Sequence, residues 1–155
     1  MVTVLFVCTG NQYRSPIAAT AFRQQLLCDG REAHWRVNSA GTWTVPGQPV
    51  LPLAVELARS VGLDIAGHTT RVVNAPLLEE SDLVLVMEAG HKESIQVEFP
   101  FARQKVYLLA QVLDGIAYDI ADPARAGENP YEIIHDLVTM IRSGCGKIYG
   151  MIESG

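Results

Sequence analysis

Four short apolar runs recur along this chain, and segments of helical periodicity separate them. The runs are Thr3 to Val7, Trp35 to Ser39, Asp82 to Met87 and Lys105 to Leu109. The first and third are apolar almost throughout, which suits strands covered on both faces, as in a parallel sheet. Ala18, Ala21, Phe22 and Leu26 form one helical stripe behind Pro16. Ala54, Leu57, Ala58 and Val61 form another, in a helix expected over Leu51 to Ser60. Asp29-Gly30 and Gly62 are stop signals. A loop or short helix covers Asp64 to Ala75, and a short helix is expected around His91 to Val97. A last helix begins near Pro130, with Ile133, Ile134, Leu137, Val138 and Ile141 in phase, and Gly144 and Gly146 weaken its end. Strands alternating with helices predict an α/β chain with a parallel sheet, and right-handed crossovers place helices on both of its faces. A length of 155 residues suits one domain over 1–155.

Ligands of such sheets bind beyond the carboxyl ends of the strands. The first strand ends there in Cys8-Thr9-Gly10-Asn11-Gln12-Tyr13-Arg14-Ser15-Pro16. Gly10 and Asn11 tolerate positive φ, so the loop can turn its N–H groups inward as an anion-binding nest. Ser15 suits a helix N-cap and Pro16 the first helical position. The helix start adds unpaired N–H groups and the positive end of its dipole. Arg14 can clamp an oxyanion through two parallel hydrogen bonds. The same field favours the anionic, nucleophilic form of Cys8. A nucleophile inside a phosphate cradle points to phosphoryl transfer to sulfur. The aperiodic stretch from Asp114 to Asn129 has the length of a functional loop, and it offers Asp114, Asp119 and Asp122 as candidate acids.

A net charge of −5 with scattered Lys and Arg leaves no nucleic-acid footprint. No apolar run approaches the ~20 residues of a membrane span, and the N-terminus lacks the pattern of a signal peptide. Three cysteines, Cys8, Cys28 and Cys145, are too few for a disulfide framework and suit a reducing, cytoplasmic compartment. No Cys/His spacing resembles a zinc site. Cys28 and Cys145 fall on helical patterns and read as packing residues, while His34, His91 and His135 read as surface residues. Nothing in the chain specifies an oligomeric state.

Cys8 to Pro16 closely resembles the active-site loop of the low-molecular-weight protein tyrosine phosphatases, which carry Cys-x5-Arg-Ser straight after the first strand. The likeness continues in Ser39-Ala40-Gly41-Thr42, in Gly62-Leu63-Asp64 to His68, in Asp82-Leu83-Val84-Leu85-Val86-Met87 and in Asp122-Pro123. The resemblance implies a flavodoxin-like, four-stranded parallel sheet with helices on both faces. It implies hydrolysis of phosphomonoesters through a cysteinyl-phosphate, without metal or cofactor. The substrate is then a phosphorylated protein, on phosphotyrosine, or a small phosphomonoester. On that reading Cys8 attacks phosphorus, and Arg14 with the amides of Thr9 to Ser15 holds the equatorial oxygens. Asp122 protonates the leaving oxygen and then activates water. Ser15 hydrogen-bonds the thiolate, and Asn11, Ser39 and His68 hold the loop in shape.

This chain also departs from the pattern it resembles. Many members carry a second cysteine next to the arginine, where this chain has Tyr13. Tyrosine-directed members place an aromatic residue after Asp-Pro, where this chain has Ala124-Arg125-Ala126. Relatives acting on phosphoarginine carry Thr where this loop has Gln12, whose amide could hydrogen-bond a guanidinium or a leaving-group water. Gln12, Tyr13 and Trp43 are the expected substrate rim, and phosphoarginine is the alternative substrate. A thioredoxin-coupled arsenate reductase, which starts alike, needs two more redox cysteines, and Ser81 to Ser94 contains none. A phosphocysteine carrier or a non-catalytic phospho-binding module would not require both Arg14 and Asp122 beside the thiol.

Overall fold

Strands that are apolar on both faces must lie inside a sheet, and strands with polar positions can lie at its edge. The computed structural model describes residues 1–125 and 127–153 and follows that rule. Strands β1 (Val2–Cys8), β2 (Trp35–Gly41), β3 (Leu83–Val86) and β4 (Val106–Leu108) form one parallel sheet in the order β2-β1-β3-β4. The central strands β1 and β3 are buried along nearly their whole length. Edge strand β2 exposes Arg36, and edge strand β4 exposes Tyr107. The helices are α1 (Arg14–Cys28), α2 (Pro52–Ser60), α3 (Ala75–Glu80), α4 (Ala89–Glu98), α5 (Leu109–Asp114) and α6 (Pro130–Glu153), with a 3₁₀ turn over Pro100–Lys105.

Successive side chains of β1 feed two cores. Val4, Phe6 and Cys8 face α1, α2, α5 and α6, where Phe22, Trp35 and Tyr149 pack edge-on or tilted against one another. Leu5 and Val7 face α3 and α4, beside Leu78 and Ile95. The sheet is therefore the middle of three layers. After β1 the chain enters α1 on one face, and after β3 it enters α4 on the other. The crevice at the carboxyl ends of β1 and β3 is thus a switch point of the topology, and the Cys8 loop occupies it.

Several local expectations change. Ser15 is not the N-cap of α1: the helix begins at Arg14 with Tyr13 as N-cap and no side-chain cap, because the Ser15 hydroxyl is drawn toward Cys8. The stretch before α3 is loop, one of the two forms expected there, tied by single bridges, Gly41 to Val72 and Pro49 to Thr69, and α3 begins at its end, at Ala75. Helix α5 runs on from β4 without a break, so the functional loop starts at Gly115 (φ +75°). Gly144 and Gly146 do not weaken α6, which continues to Glu153. A Cβ at Gly144 would lie 2.9 Å from Leu113 Cδ2, so this glycine lets α5 pack closely. Cys145 is buried as expected, but Cys28, the last residue of α1, is exposed.

Candidate active site

The loop between β1 and α1 carries more polar groups than a tight turn needs, and its shape rests on Asn11. This residue has φ +55°, the left-handed region that Asn tolerates better than most side chains. Its side chain is fully buried. Nδ2 donates to Ser15 Oγ at 2.8 Å and to Ser39 Oγ at 3.0 Å, while Oδ1 accepts the Arg71 N–H at 2.8 Å. From outside, His68 Nε2 donates to the Asn11 carbonyl at 2.8 Å. Burial, with the nearby Arg23 charge, holds the His68 pKa below its ordinary value, although the bond to Asn11 pulls the other way. His68 is thus a neutral strut. Gly10, by contrast, needs no positive φ.

Gly41 supports the loop from below. The chain after β2 pairs with it, through Thr42 N–H to the Cys8 carbonyl at 2.9 Å and Trp43 N–H to the Thr9 carbonyl at 3.0 Å. A Cβ on Gly41 would stand 2.4 Å from the Thr9 carbonyl oxygen and 3.1 Å from Asn11 N. Only glycine permits that approach.

The nucleophile candidate Cys8 ends β1, almost fully buried. Its Sγ lies 3.0 Å from Ser15 Oγ. Ser15 Oγ accepts from Asn11 and can donate its own proton to sulfur. Arg14 is 2 % exposed. Its Nη1 donates to Glu88 Oε2 and to the Ile120 carbonyl, each at 2.6 Å. That fixes the guanidinium from behind and leaves its Nε–Nη2 edge without a protein acceptor among the described residues. The N–H groups of Thr9, Gly10, Asn11, Gln12 and Tyr13 likewise donate to no protein acceptor among the described residues. Consecutive unpaired N–H groups in such a loop are the donor set of an anion nest.

Cys8, Thr9, Gly10, Gln12, Tyr13, Arg14, Asp122 and Ala124 line a cavity of about 200 Å³. Thiol, guanidinium and carboxylate therefore meet in one place. Of the three candidate acids, Asp114 takes the Tyr118 hydroxyl and Asp119 caps α4 through Ala89 N–H at 2.8 Å. Asp122 alone of them reaches the cavity, steadied by the Ala124 N–H at 2.9 Å. Tyr13 stands beside it: burial, then the Asp122 charge, raises its phenol pKa. Wider clefts lie behind the loop, at Arg23 and His68, and along α6, at Tyr118 and Met140, and neither is lined by a cysteine.

The expected rim is only partly assembled. Gln12 and Tyr13 line the cavity, while Trp43 is 85 % exposed and outside its lining. The Gln12 amide is engaged on both sides: Nε2 donates to the Pro49 carbonyl at 3.1 Å and Oε1 accepts the Leu51 N–H at 2.9 Å. It works as a brace between loops rather than as a free hydrogen-bonding group. Ala126 lies outside the described residues. His34 and His135 are exposed as expected, but His91 is buried. Glu88 and His91 were not legible as site residues. Their spacing is that of a capping box, a signal that gains meaning only once the start of α4 is known. Among the described residues no cluster of His, Cys, Asp or Glu could hold a metal ion, and no helix is long and apolar enough to cross a membrane.

The family model for low molecular weight phosphotyrosine protein phosphatases matches residues 3–153. The chain belongs to this family. A Klebsiella pneumoniae protein named as a low molecular weight protein-tyrosine-phosphatase is 38% identical over 136 residues, 88% of this chain and 89% of its own. A protein-arginine-phosphatase of Bacillus subtilis is 33% identical over 135 residues, 86% of this chain and 87% of its own. The solved structure of the YwlE arginine phosphatase, a cysteine-to-serine mutant with a phosphorylated active-site serine, superposes with a TM-score of 0.85 at 28% identity, covering 98% of this chain and 97% of that one. As a low molecular weight phosphatase the protein is a cysteine-dependent enzyme with the flavodoxin-like sheet of its relatives.

Proposed function

We propose that this phosphatase hydrolyses phosphotyrosine on proteins, with Cys8 as nucleophile, Arg14 as oxyanion clamp and Asp122 as acid and base. The observation that carries the reading is the cavity that gathers the three side chains above a run of unpaired amides. In the first step the Cys8 sulfur bonds to phosphorus as the bond to the ester oxygen breaks. Asp122 gives that oxygen its proton. Arg14 and the loop amides hold the equatorial oxygens, where charge grows in the transition state. In the second step water attacks phosphorus, Asp122 takes its proton, and the sulfur leaves toward the Ser15 hydroxyl. Asn11, Ser39 and His68 keep the cradle shaped. The relative with a phosphorylated active-site serine supports a covalent phosphoryl group in such a cradle.

Phosphotyrosine is favoured because the Gln12 amide, at the position where phosphoarginine-directed relatives carry Thr, is already bonded to Pro49 and Leu51. The Tyr13 ring at the cavity wall offers an aromatic flank instead. Phosphoarginine is the second reading, favoured by the likeness to arginine phosphatases. The free thiols of Cys8, Cys28 and Cys145 suit the cytoplasm. The test is kcat/KM on phosphotyrosine and phosphoarginine peptides of one sequence. The proposal expects turnover on phosphotyrosine to prevail by more than tenfold and to vanish in Cys8→Ala. Preference for phosphoarginine would install the second reading, and turnover that survives in Cys8→Ala would end both.

A further inference from the structure

A histidine that is 6 % exposed and bonded through both ring nitrogens is held for a reason. His91 Nδ1 accepts the Glu88 N–H at 3.1 Å. A lone pair in use at Nδ1 puts the proton of the neutral ring on Nε2. Nε2 therefore donates to Thr9 Oγ1, 2.8 Å away. Thr9 is the residue directly after Cys8 and lines the same cavity. With its oxygen occupied by the imidazole, the Thr9 hydroxyl keeps its own proton for another acceptor. On the other side, the His91 backbone N–H returns a bond to the Glu88 carboxylate, completing the capping box of α4. That carboxylate holds Arg14 at 2.6 Å. One ring thus joins the element behind the nucleophile to the element behind the guanidinium.

We propose that His91 is a positioning residue for phosphoryl transfer, its neutral ring, seated on the cap of α4, holding the Thr9 hydroxyl in place beside Cys8. The inference rests on the catalytic reading above and adds a residue to it. A protonated ring would set a second N–H against the Glu88 N–H and break the cap. The charged groups that face the ring are Glu88 at the start of its own helix, Arg14 from α1, and Asp119 and Asp122 from the loop before α6. Burial, the largest influence, and Arg14 favour the neutral form against the three carboxylates.

The two ring bonds can be separated by amide substitutions. His91→Asn places an oxygen where Nδ1 was, so it keeps the cap and releases Thr9. His91→Gln places a nitrogen where Nε2 was, so it keeps Thr9 and releases the cap. We expect His91→Asn to melt like the wild type yet lose about tenfold in kcat on p-nitrophenyl phosphate, the worth of one hydrogen bond to the site. Thr9→Val should lose as much, and the double variant no more. His91→Gln should melt lower yet keep kcat within about threefold. Activity that follows melting temperature across the two amides, or independent losses in the double variant, would overturn the proposal. Affinity for inorganic phosphate by calorimetry gives the same test without turnover, with about tenfold weakening in His91→Asn and none in His91→Gln. Phosphate binding with this pattern across the variants, in a wild type that turns nothing over, would refute the catalytic reading and leave His91 as a positioning residue of an anion site.

Discussion

Replacing Asn11 with alanine removes the centre of the proposed phosphate cradle at one stroke. The side chain is buried and makes three hydrogen bonds, to Ser15 Oγ, Ser39 Oγ and Arg71 N–H. Each contributes about 1 kcal/mol net. Alanine also has to hold φ +55°, which costs about 1 kcal/mol more than it does for Asn. The loop conformation is therefore destabilised by about 4 kcal/mol in all. Part of this appears as lost global stability, and part as a loop that no longer presents its amides together. We expect urea unfolding to show a loss of about 2–4 kcal/mol. We also expect kcat/KM on p-nitrophenyl phosphate to fall by at least about tenfold at a temperature where the variant remains folded. Asn11→Gly should recover about 1 kcal/mol of stability relative to alanine, because it removes the cost of positive φ, and should recover no activity. An alanine variant within about twofold of wild-type kcat/KM and about 0.5 kcal/mol of its stability would refute the argument that this residue shapes the loop.

Gly41→Ala should lose most activity and several degrees of melting temperature, since its Cβ would meet the Thr9 carbonyl at 2.4 Å. Wild-type behaviour in calorimetry and turnover would mean the loop does not rest on this strand end. His68 and His91 are both held below the ordinary histidine pKa by burial. Their neutral forms stabilise the fold above the unfolded value of about 6.5, and this contribution is lost as pH falls through the lower folded values. The urea midpoint should accordingly drop as pH falls below about 6.5, and His91→Gln should flatten part of that drop. Tyr13 occupies the place of a second loop cysteine, so oxidised Cys8 has no thiol beside it in the loop. Peroxide inactivation should then proceed to irreversible acids, and full recovery with dithiothreitol would contradict this.

The parts of the site that lie on one stretch of chain were legible from residue types. Cys8, Arg14 and the loop between them follow an apolar strand, and strand ends in parallel sheets are where ligands bind. The partners from elsewhere in the chain were legible only through family resemblance, as with Ser39, His68 and Asp122. Their spacing in sequence carries no record of the angles at which strands and loops converge. Glu88 and His91 escaped both routes. A Glu and a His three apart read as a solvated helix start, and only the pairing of β3 with β1 brings them against Thr9 and Arg14. Ser15 was misplaced as an N-cap for a related reason. The preference of Ser for caps is a local tendency, and here the buried sulfur and the Asn11 amide compete for the same hydroxyl and prevail. Helix α5 was missed because Leu108 and Leu109 continue one apolar run across the change from strand to helix.

The covalent role proposed for Cys8 can be measured directly. Asp122→Asn should slow the second step more than it prevents the first, so a burst of p-nitrophenol should precede slow turnover. Rapid acid quench during that burst, followed by peptide mapping, should find phosphate on Cys8 and on no other residue. Phosphate on another side chain, or a burst that leaves the protein unmodified, would contradict the account.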